Sequence, residues 1–194
     1  MRVSVSTTVD LLRHGATTAG ARYIGSTDVP LTALGWRQME QVLVGAGAWS
    51  RIITSPLRRC AEFAAQFAAN AGVPLVLDAA FQEIHFGDWE NCSVDELMQT
   101  DPYGLQSFWT DPLLHTPPGA ESLRSFQRRV LTAWQHRIAQ HAGQRILLIT
   151  HGGVIRVLRC HLEQYPLSEL LRLAVPLGSL HSIELSAAHA GVCT

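Results

Sequence analysis

Three short stretches of this chain combine basic side chains with a turn, and each follows a run of apolar residues. They are "RHG" at 13–15, "SPLRR" at 55–59 and "HGG" at 151–153. The three stretches together contain no Asp or Glu. Guanidinium and imidazole groups donate charge-assisted hydrogen bonds to phosphate oxygens. These residue types therefore predict a phosphate-binding site.

The distribution of charge in these stretches supports the same prediction. The helix expected after Ser55 opens with Arg58 and Arg59, where the helix dipole favours Asp or Glu. Cations at that end are unfavourable unless an anion offsets them. Glycines such as Gly15 and Gly152 let backbone N–H groups approach an oxyanion closely. Each stretch alone is common, but the three in order, each at the end of a predicted strand, favour a bound phosphate.

The elements that must position these residues alternate between strand and helix. Apolar patterning predicts strands over 3–12, 50–55, 73–78 and 145–150, with closing strands over 171–175 and 180–185. Helices are predicted over 31–47, 56–72 and 121–141 and after "HGG", with Thr32 and Ser55 as N-caps and Gly72 closing the second. The order predicts a three-layer α/β/α fold, with a mostly parallel sheet covered by helices on both faces. Ligands of such sheets bind at the carboxyl ends of the strands.

Composition narrows the classes of function. The chain has 194 residues, is 47% hydrophobic and carries a net charge of −1, which predicts a single domain over 1–194 without a nucleic-acid or membrane partner. No apolar run approaches the roughly 20 residues of a membrane span, and the absence of a secretory pattern predicts a cytoplasmic protein. Four scattered cysteines indicate reduced thiols and no zinc site.

Six stretches resemble the histidine phosphatase superfamily, which has the phosphoglycerate mutase-like fold. They are "LLRHGATT", "GSTDVPLTALGWRQM", "IITSPLRRCAEFA", "FQEIHFGDWEN", "TPPGAESL" and "LLITHGGVIRVL", running from about residue 9 to 161. The resemblance implies a phosphoacceptor at His14, a paired Arg13, a phosphate-binding Arg59, a proton donor at Glu83 and a second catalytic histidine at His151. It implies no metal and no cofactor.

The chemistry implied by the resemblance suits these residue types. A neutral imidazole at His14 attacks phosphorus and gives a phosphohistidine, while Arg13 and Arg59 hold phosphate oxygens. His151, with backbone N–H groups such as those of Gly15 and Gly152, stabilises the transferring group. Thr17 is expected to add a phosphate contact.

Glu83 is expected to protonate the leaving alkoxide and then to activate water. That role needs a raised pKa, for which burial near Phe81, Phe86 or Trp89 is the expected cause.

The sequence departs from the commoner family pattern at two positions. Ala16 stands where many members have glutamate, and Gly20 where many have a phosphate-binding asparagine. The missing contact is expected to come from Thr17, Thr18 or backbone N–H groups. Among nearby residues, His85 is a candidate for the pocket wall.

Three remaining side chains have plainer predictions. Trp89 and Trp109 are expected in the core or pocket wall, and Arg58 at the surface.

Within the family, the sequence most resembles the α-ribazole phosphatases of cobalamin biosynthesis. This implies a small-molecule phosphate monoester as substrate, α-ribazole 5′-phosphate. A phosphoglycerate mutase or broad-specificity sugar-phosphate phosphatase is the alternative, and a non-catalytic phosphate-binding regulatory module is the second. Residues 91–118 are expected to form the leaving-group pocket. The sequence does not decide whether the chain forms a homodimer.

Overall fold

The computed structural model describes residues 6–185. They include a five-stranded sheet. Its strands are β1 (Thr7–Arg13), β2 (Arg51–Thr54), β3 (Leu75–Leu77), β4 (Arg145–Thr150) and β5 (Leu180–Leu185). The spatial order is β3-β2-β4-β1-β5, parallel throughout except for β5, which pairs antiparallel with β1. Neighbouring parallel strands β2, β4 and β1 therefore end at one edge.

Helices cover both faces of the sheet. In β4, Ile146 and Leu148 pack with α5 (Leu123–Gln140) and α6 (Gly152–Leu162). The alternate residues Leu147 and Ile149 pack with α1 (Ala33–Leu43) and α2 (Arg58–Ala71). Burial on both faces explains why β4 is an uninterrupted apolar run. The predicted three-layer α/β/α fold is confirmed.

The predicted helix ends are partly right. The Thr32 side chain caps α1 by accepting from the Gly35 N–H, and Gly72, at φ 65°, ends α2. The prediction that Ser55 caps α2 is wrong, because Leu57 is the N-cap residue and α2 begins at Arg58. Ser55 instead lies at the end of β2, fully buried, with its hydroxyl 2.7 Å from His151 Nε2.

The middle of the chain forms short helices and loops. Two 3₁₀ helices, Ala79–Phe81 and Gly87–Trp89, precede α3 (Val94–Thr100) and α4 (Pro102–Thr110). Aromatic side chains of this segment pack together, with Trp89 and Phe108 5.5 Å apart between ring centroids.

The predicted strand over 171–175 is wrong. A 3₁₀ helix, Leu167–Arg172, occupies its start, and the carbonyls of Leu173 and Val175 accept hydrogen bonds from arginine side chains rather than from a strand. Residues 3–5 of the first predicted strand and Cys193 lie outside the described residues. Cys60, Cys92 and Cys160 are free thiols.

Candidate active site

The ends of β1, β4 and β2 bring the three basic stretches together. The N–H of His14 donates to the carbonyl of Thr150 at 3.0 Å, which continues the pairing of β1 with β4. As a result the His14 and His151 rings lie edge to face, with centroids 5.2 Å apart. The two histidines, 137 positions apart in sequence, share one site because their strands are neighbours.

His14 is held as a neutral imidazole, and its Nε2 has no hydrogen-bond partner among residues 6–185. Its Nδ1 lies 2.9 Å from the carbonyl oxygen of Gly15, and because a carbonyl only accepts, Nδ1 carries the proton. Burial, reinforced by the charges of Arg59 and Arg13, lowers the pKa of His14 to about 3. The lone pair on Nε2 is therefore available near neutral pH.

His151 is fully buried behind His14, and both of its ring nitrogens are engaged. Arg59 Nε donates to Nδ1 at 3.2 Å, so Nε2 carries the proton and donates to the Ser55 hydroxyl at 2.7 Å. Burial first, then the charge of Arg59, lowers the pKa of His151 well below its usual value. To donate to a phosphoryl group, this ring must exchange Ser55 for a phosphate oxygen.

Arg59 is fully buried and binds the loop that walls the site. Its Nη1 donates to the carbonyl of Thr27 at 2.9 Å, and its Nη2 to that of Gly25 at 2.6 Å. Glu90 fixes the same loop by accepting from the N–H groups of Gly25, Ser26 and Thr27. Among residues 6–185, the Arg59 guanidinium thus donates to the loop and to His151, which leaves few of its N–H donors for a phosphate.

Arg13 has the opposite character. Its Nη1 donates to the carbonyl of Val175, while its buried Nε has no hydrogen-bond partner in the described part of the chain. Burial lowers the pKa of Arg13, the charge of Glu83 raises it, and those of Arg156 and Arg59 lower it. A buried donor without an acceptor is costly, and an anion in the cleft would satisfy it.

Glu83 is oriented by two backbone donors. Its Oε1 accepts from its neighbour Ile84, and its Oε2 from Gly153 N–H, each at 3.0 Å. A Cβ on Gly153 would collide with the Glu83 carboxylate, so the second glycine of "HGG" makes room for it. Glu83 lines the same cleft as His14, a position that suits proton transfer to a leaving group.

At two other positions, 15 and 20, the structure explains the glycine without a phosphate contact. A Cβ on Gly15 would collide with the backbone of Gly35 in α1, so Gly15 lets the loop after β1 pack on that helix. Gly20 has φ 67° in a turn closed by its N–H and the Thr17 carbonyl, and open space surrounds it.

Two adjoining cavities open at this edge. The polar cleft, of about 430 Å³, is lined by Arg13, His14, Thr17 and Arg22 among others. The aromatic cavity, of about 170 Å³, is walled mainly by apolar side chains. These walls include Phe108, Trp109, Pro112, Leu123, Phe126 and Leu170. Tyr23, Glu83, Phe86 and Arg156 line both.

The structure thus divides the predicted site residues into those that line the polar cleft and those that are buried around it. Arg13, His14, Thr17 and Glu83 line the polar cleft. Four others are buried around it: Gly15, Arg59, His151 and Gly152. His85 lines neither cavity, because its exposed ring accepts from the Gly87 N–H at 3.0 Å, so its placement in the pocket wall is wrong.

Other side chains match their predictions. Trp109 forms part of the aromatic wall and donates to the Tyr23 hydroxyl at 2.9 Å. Trp89 is buried in the core, and Arg58 is exposed in a pair with Glu62.

Three residues of the site were missed from the sequence: Ser55, Glu90 and Arg156. All three stand inside stretches that were singled out, but a side chain's partner is not visible in sequence spacing. Between residues 6 and 185, no group of three or more His, Cys, Asp or Glu side chains is arranged to hold a metal ion. No described helix is long and apolar enough to cross a membrane.

Comparisons with known proteins agree with this geometry. Residues 9–192 match the histidine phosphatase superfamily, branch 1. The solved structure of YhfR from Bacillus stearothermophilus superposes with a TM-score of 0.86 at 32% identity, covering 93% of this chain and 92% of that one.

Two curated relatives differ in length and description. A bifunctional protein of Mycobacterium tuberculosis is 32% identical over 174 residues, which is 87% of this chain and 44% of that protein, so the chain spans less than half of that relative. The adenosylcobalamin/alpha-ribazole phosphatase of Escherichia coli is 27% identical over 186 residues, or 91% of this chain and 89% of that enzyme.

Proposed function

Because the chain belongs to branch 1 of the histidine phosphatase superfamily, we propose that it is a metal-independent phosphomonoesterase that works through a phosphohistidine on His14. The observation that carries this proposal is the state of His14: Nδ1 donates to the Gly15 carbonyl at 2.9 Å, and the ring is neutral. Nε2 thus offers a lone pair beside a cleft whose arginines attract a phosphate dianion.

In the first step, His14 Nε2 forms a bond to phosphorus as the bond from phosphorus to the leaving oxygen breaks. The leaving oxygen takes the electron pair and a proton from the Glu83 carboxylic acid. Arg13 Nε, which has no described protein acceptor, supplies a donor for a phosphoryl oxygen. The products of this step are an alcohol and phosphohistidine.

In the second step, water attacks phosphorus and the Glu83 carboxylate takes its proton. The electron pair of the N–P bond returns to Nε2, and inorganic phosphate leaves. The Gly15 carbonyl keeps the proton on Nδ1 throughout, so the histidine ends in its starting tautomer. The sum is hydrolysis of a monoester by one water molecule.

For the substrate, we propose α-ribazole 5′-phosphate. The similarity to the Escherichia coli enzyme over 91% of this chain supports it. So does the aromatic cavity beside the cleft, because walls such as Phe108 and Trp109 suit a flat ring at the far end of a sugar phosphate. Phosphoglycerate mutation and broad sugar-phosphate hydrolysis are the alternatives for the same chemistry.

The test is phosphate release from α-ribazole 5′-phosphate in EDTA, with His14→Ala beside the parent protein. We expect turnover by the parent and loss of at least about 10³-fold in the variant, since removing a nucleophile removes the covalent route. Equal activity of His14→Ala would contradict the mechanism.

Ribose 5-phosphate is the matched substrate, because it keeps the sugar phosphate and lacks the aromatic base. Burying the base should raise kcat/KM for α-ribazole 5′-phosphate about tenfold or more over ribose 5-phosphate. Equal values would refute the substrate assignment and leave the phosphatase chemistry standing. Phosphate transfer between phosphoglycerates that depends on a bisphosphate primer would identify a mutase instead.

A further inference from the structure

Arg156 lies where the polar cleft and the aromatic cavity meet, and the two steps described above give it no role. It stands one turn after Gly152 on α6, and helical side chains lean toward the N-terminus, so its guanidinium lies over Gly152. Its Nη1 is 3.1 Å from the position that a Cβ on Gly152 would occupy. The absent side chain of Gly152 therefore leaves room for this arginine in the cleft.

Arg13 reaches the same place from β1. Its Nε is 3.2 Å from that same position over Gly152, so the two guanidinium groups lie side by side. Both are held by one segment, residues 173–175. The carbonyl of Leu173 accepts from Arg156 Nε at 2.9 Å, and that of Val175, two residues on, accepts from Arg13 Nη1. The segment aims both arginines into the cleft.

The charge of this pair is not balanced by an ion pair. Among residues 6–185, neither Arg13 nor Arg156 has a carboxylate within salt-bridge distance, whereas Arg22, the third arginine of the cleft, pairs with Glu96 at 2.8 Å. Glu83 is the carboxylate of the cleft lining. Two adjacent cations that are largely buried repel each other, and an anion between them would remove that cost.

We propose that Arg156 is a substrate-binding residue, which together with Arg13 holds the non-bridging oxygens of the substrate's phosphate. This deepens the proposed function and rests on it in taking the cleft as the phosphate site. Gly20 contributes no side chain to the cleft, and the Nη groups of Arg156 supply donors there. The Nε bond to Leu173 orients the fork so that its Nη groups face the anion.

The experiment is calorimetric binding of inorganic phosphate in EDTA to the parent protein, Arg156→Gln and Arg156→Lys. Loss of a charge-assisted contact predicts binding about 10- to 100-fold weaker in Arg156→Gln. Arg156→Lys should fall between, because one ammonium cannot reproduce the fork. Arg128→Gln is the control, since Arg128 is exposed on α5 and lines neither cavity.

A structural role alone predicts a lower thermal unfolding midpoint with unchanged phosphate affinity, and that result would overturn the proposal. Absence of phosphate binding by the parent would overturn it as well. If Arg156→Gln fails to fold, Arg156→Lys decides by the same measure.

Kinetics separates this inference from the proposed function. A phosphate contact predicts the same fold loss of kcat/KM for α-ribazole 5′-phosphate and ribose 5-phosphate in Arg156→Gln. A loss confined to α-ribazole 5′-phosphate would place Arg156 against the leaving group and refute the inference. If the parent hydrolyses no monoester but Arg156→Gln still weakens phosphate binding, the proposed function fails and the role of Arg156 stands.

Discussion

Gly20 occupies a left-handed backbone conformation that most side chains resist. Its φ is 67°, and the direction of its Cβ is open. Asparagine is among the residues that best tolerate this conformation, which is why glycine here and asparagine in many relatives of the family are compatible with one loop geometry. At this position the departure from the family pattern therefore requires no change in the backbone of this chain.

Gly20→Asn should therefore fold and add an amide donor to the cleft. We expect a KM for phosphate monoesters about 3- to 10-fold lower than that of Gly20→Ala, which lacks the amide. Alanine tolerates φ 67° less well than asparagine, and thermal unfolding measures that difference. Steady-state kinetics and thermal unfolding of both variants check this. Equal KM values in the two variants would show that position 20 does not face the phosphate.

At the scale of elements, Asp10 joins the central strands. This fully buried carboxylate of β1 accepts from Trp49 Nε1 at 2.6 Å, from Arg145 Nε of β4 at 2.9 Å and from the Ser182 hydroxyl of β5. A buried acid with three donors from three segments fixes the register of the sheet that carries His14.

Asp10→Ala should lower the free energy of unfolding by about 3 kcal/mol, because it leaves three hydrogen-bond donors without an acceptor around a cavity. The value lies at the low end for a buried pair, since the Arg145 side chain is 37% exposed. Glu169→Ala, which breaks the exposed pair with Arg172, should cost at most about 1 kcal/mol. Urea unfolding of both variants measures this, and equal losses would contradict the role of Asp10.

At the scale of the whole molecule, two buried neutral histidines make stability depend on pH. The pKa of His14 is lowered by burial to about 3, and that of His151 well below its usual value. A histidine in the unfolded chain has a pKa of about 6.5. Below that pH, the two rings bind protons in the unfolded chain but not in the folded protein. Stability is therefore greatest above about pH 6.5 and falls as pH decreases toward the folded pKa values.

For His14 the loss should approach about 1.4 kcal/mol per pH unit between about pH 5.5 and 4, and His151 adds a loss of the same sign. His14→Gln removes one of these protons and should reduce the slope of unfolding free energy against pH by up to that amount. His115→Gln is the comparison, because its ring lies in solvent. Denaturant unfolding across this range checks the slopes, and a slope for His14→Gln equal to that of the parent would argue against a buried neutral His14.

The sequence by itself determined the layered α/β/α class, the residues at the ends of β1, β2 and β4, and the order of the predicted elements apart from the strand over 171–175. These features depend on local patterns. The apolar residues of β4 and the left-handed Gly72 that ends α2 can both be predicted from adjacent residues in the sequence. The site edge followed from the rule that parallel strands end together.

Only the tertiary structure decided what each side chain contacts. Ser55, expected as a helix cap, binds His151, and Arg59 spends its donors on residues 24–27 as well as on His151. The same holds for the 171–175 segment, whose carbonyls accept from Arg13 and Arg156 instead of a strand. Such partners lie tens of residues away, and hydrogen bonds are satisfied in space rather than along the chain, so spacing in the sequence does not reveal them.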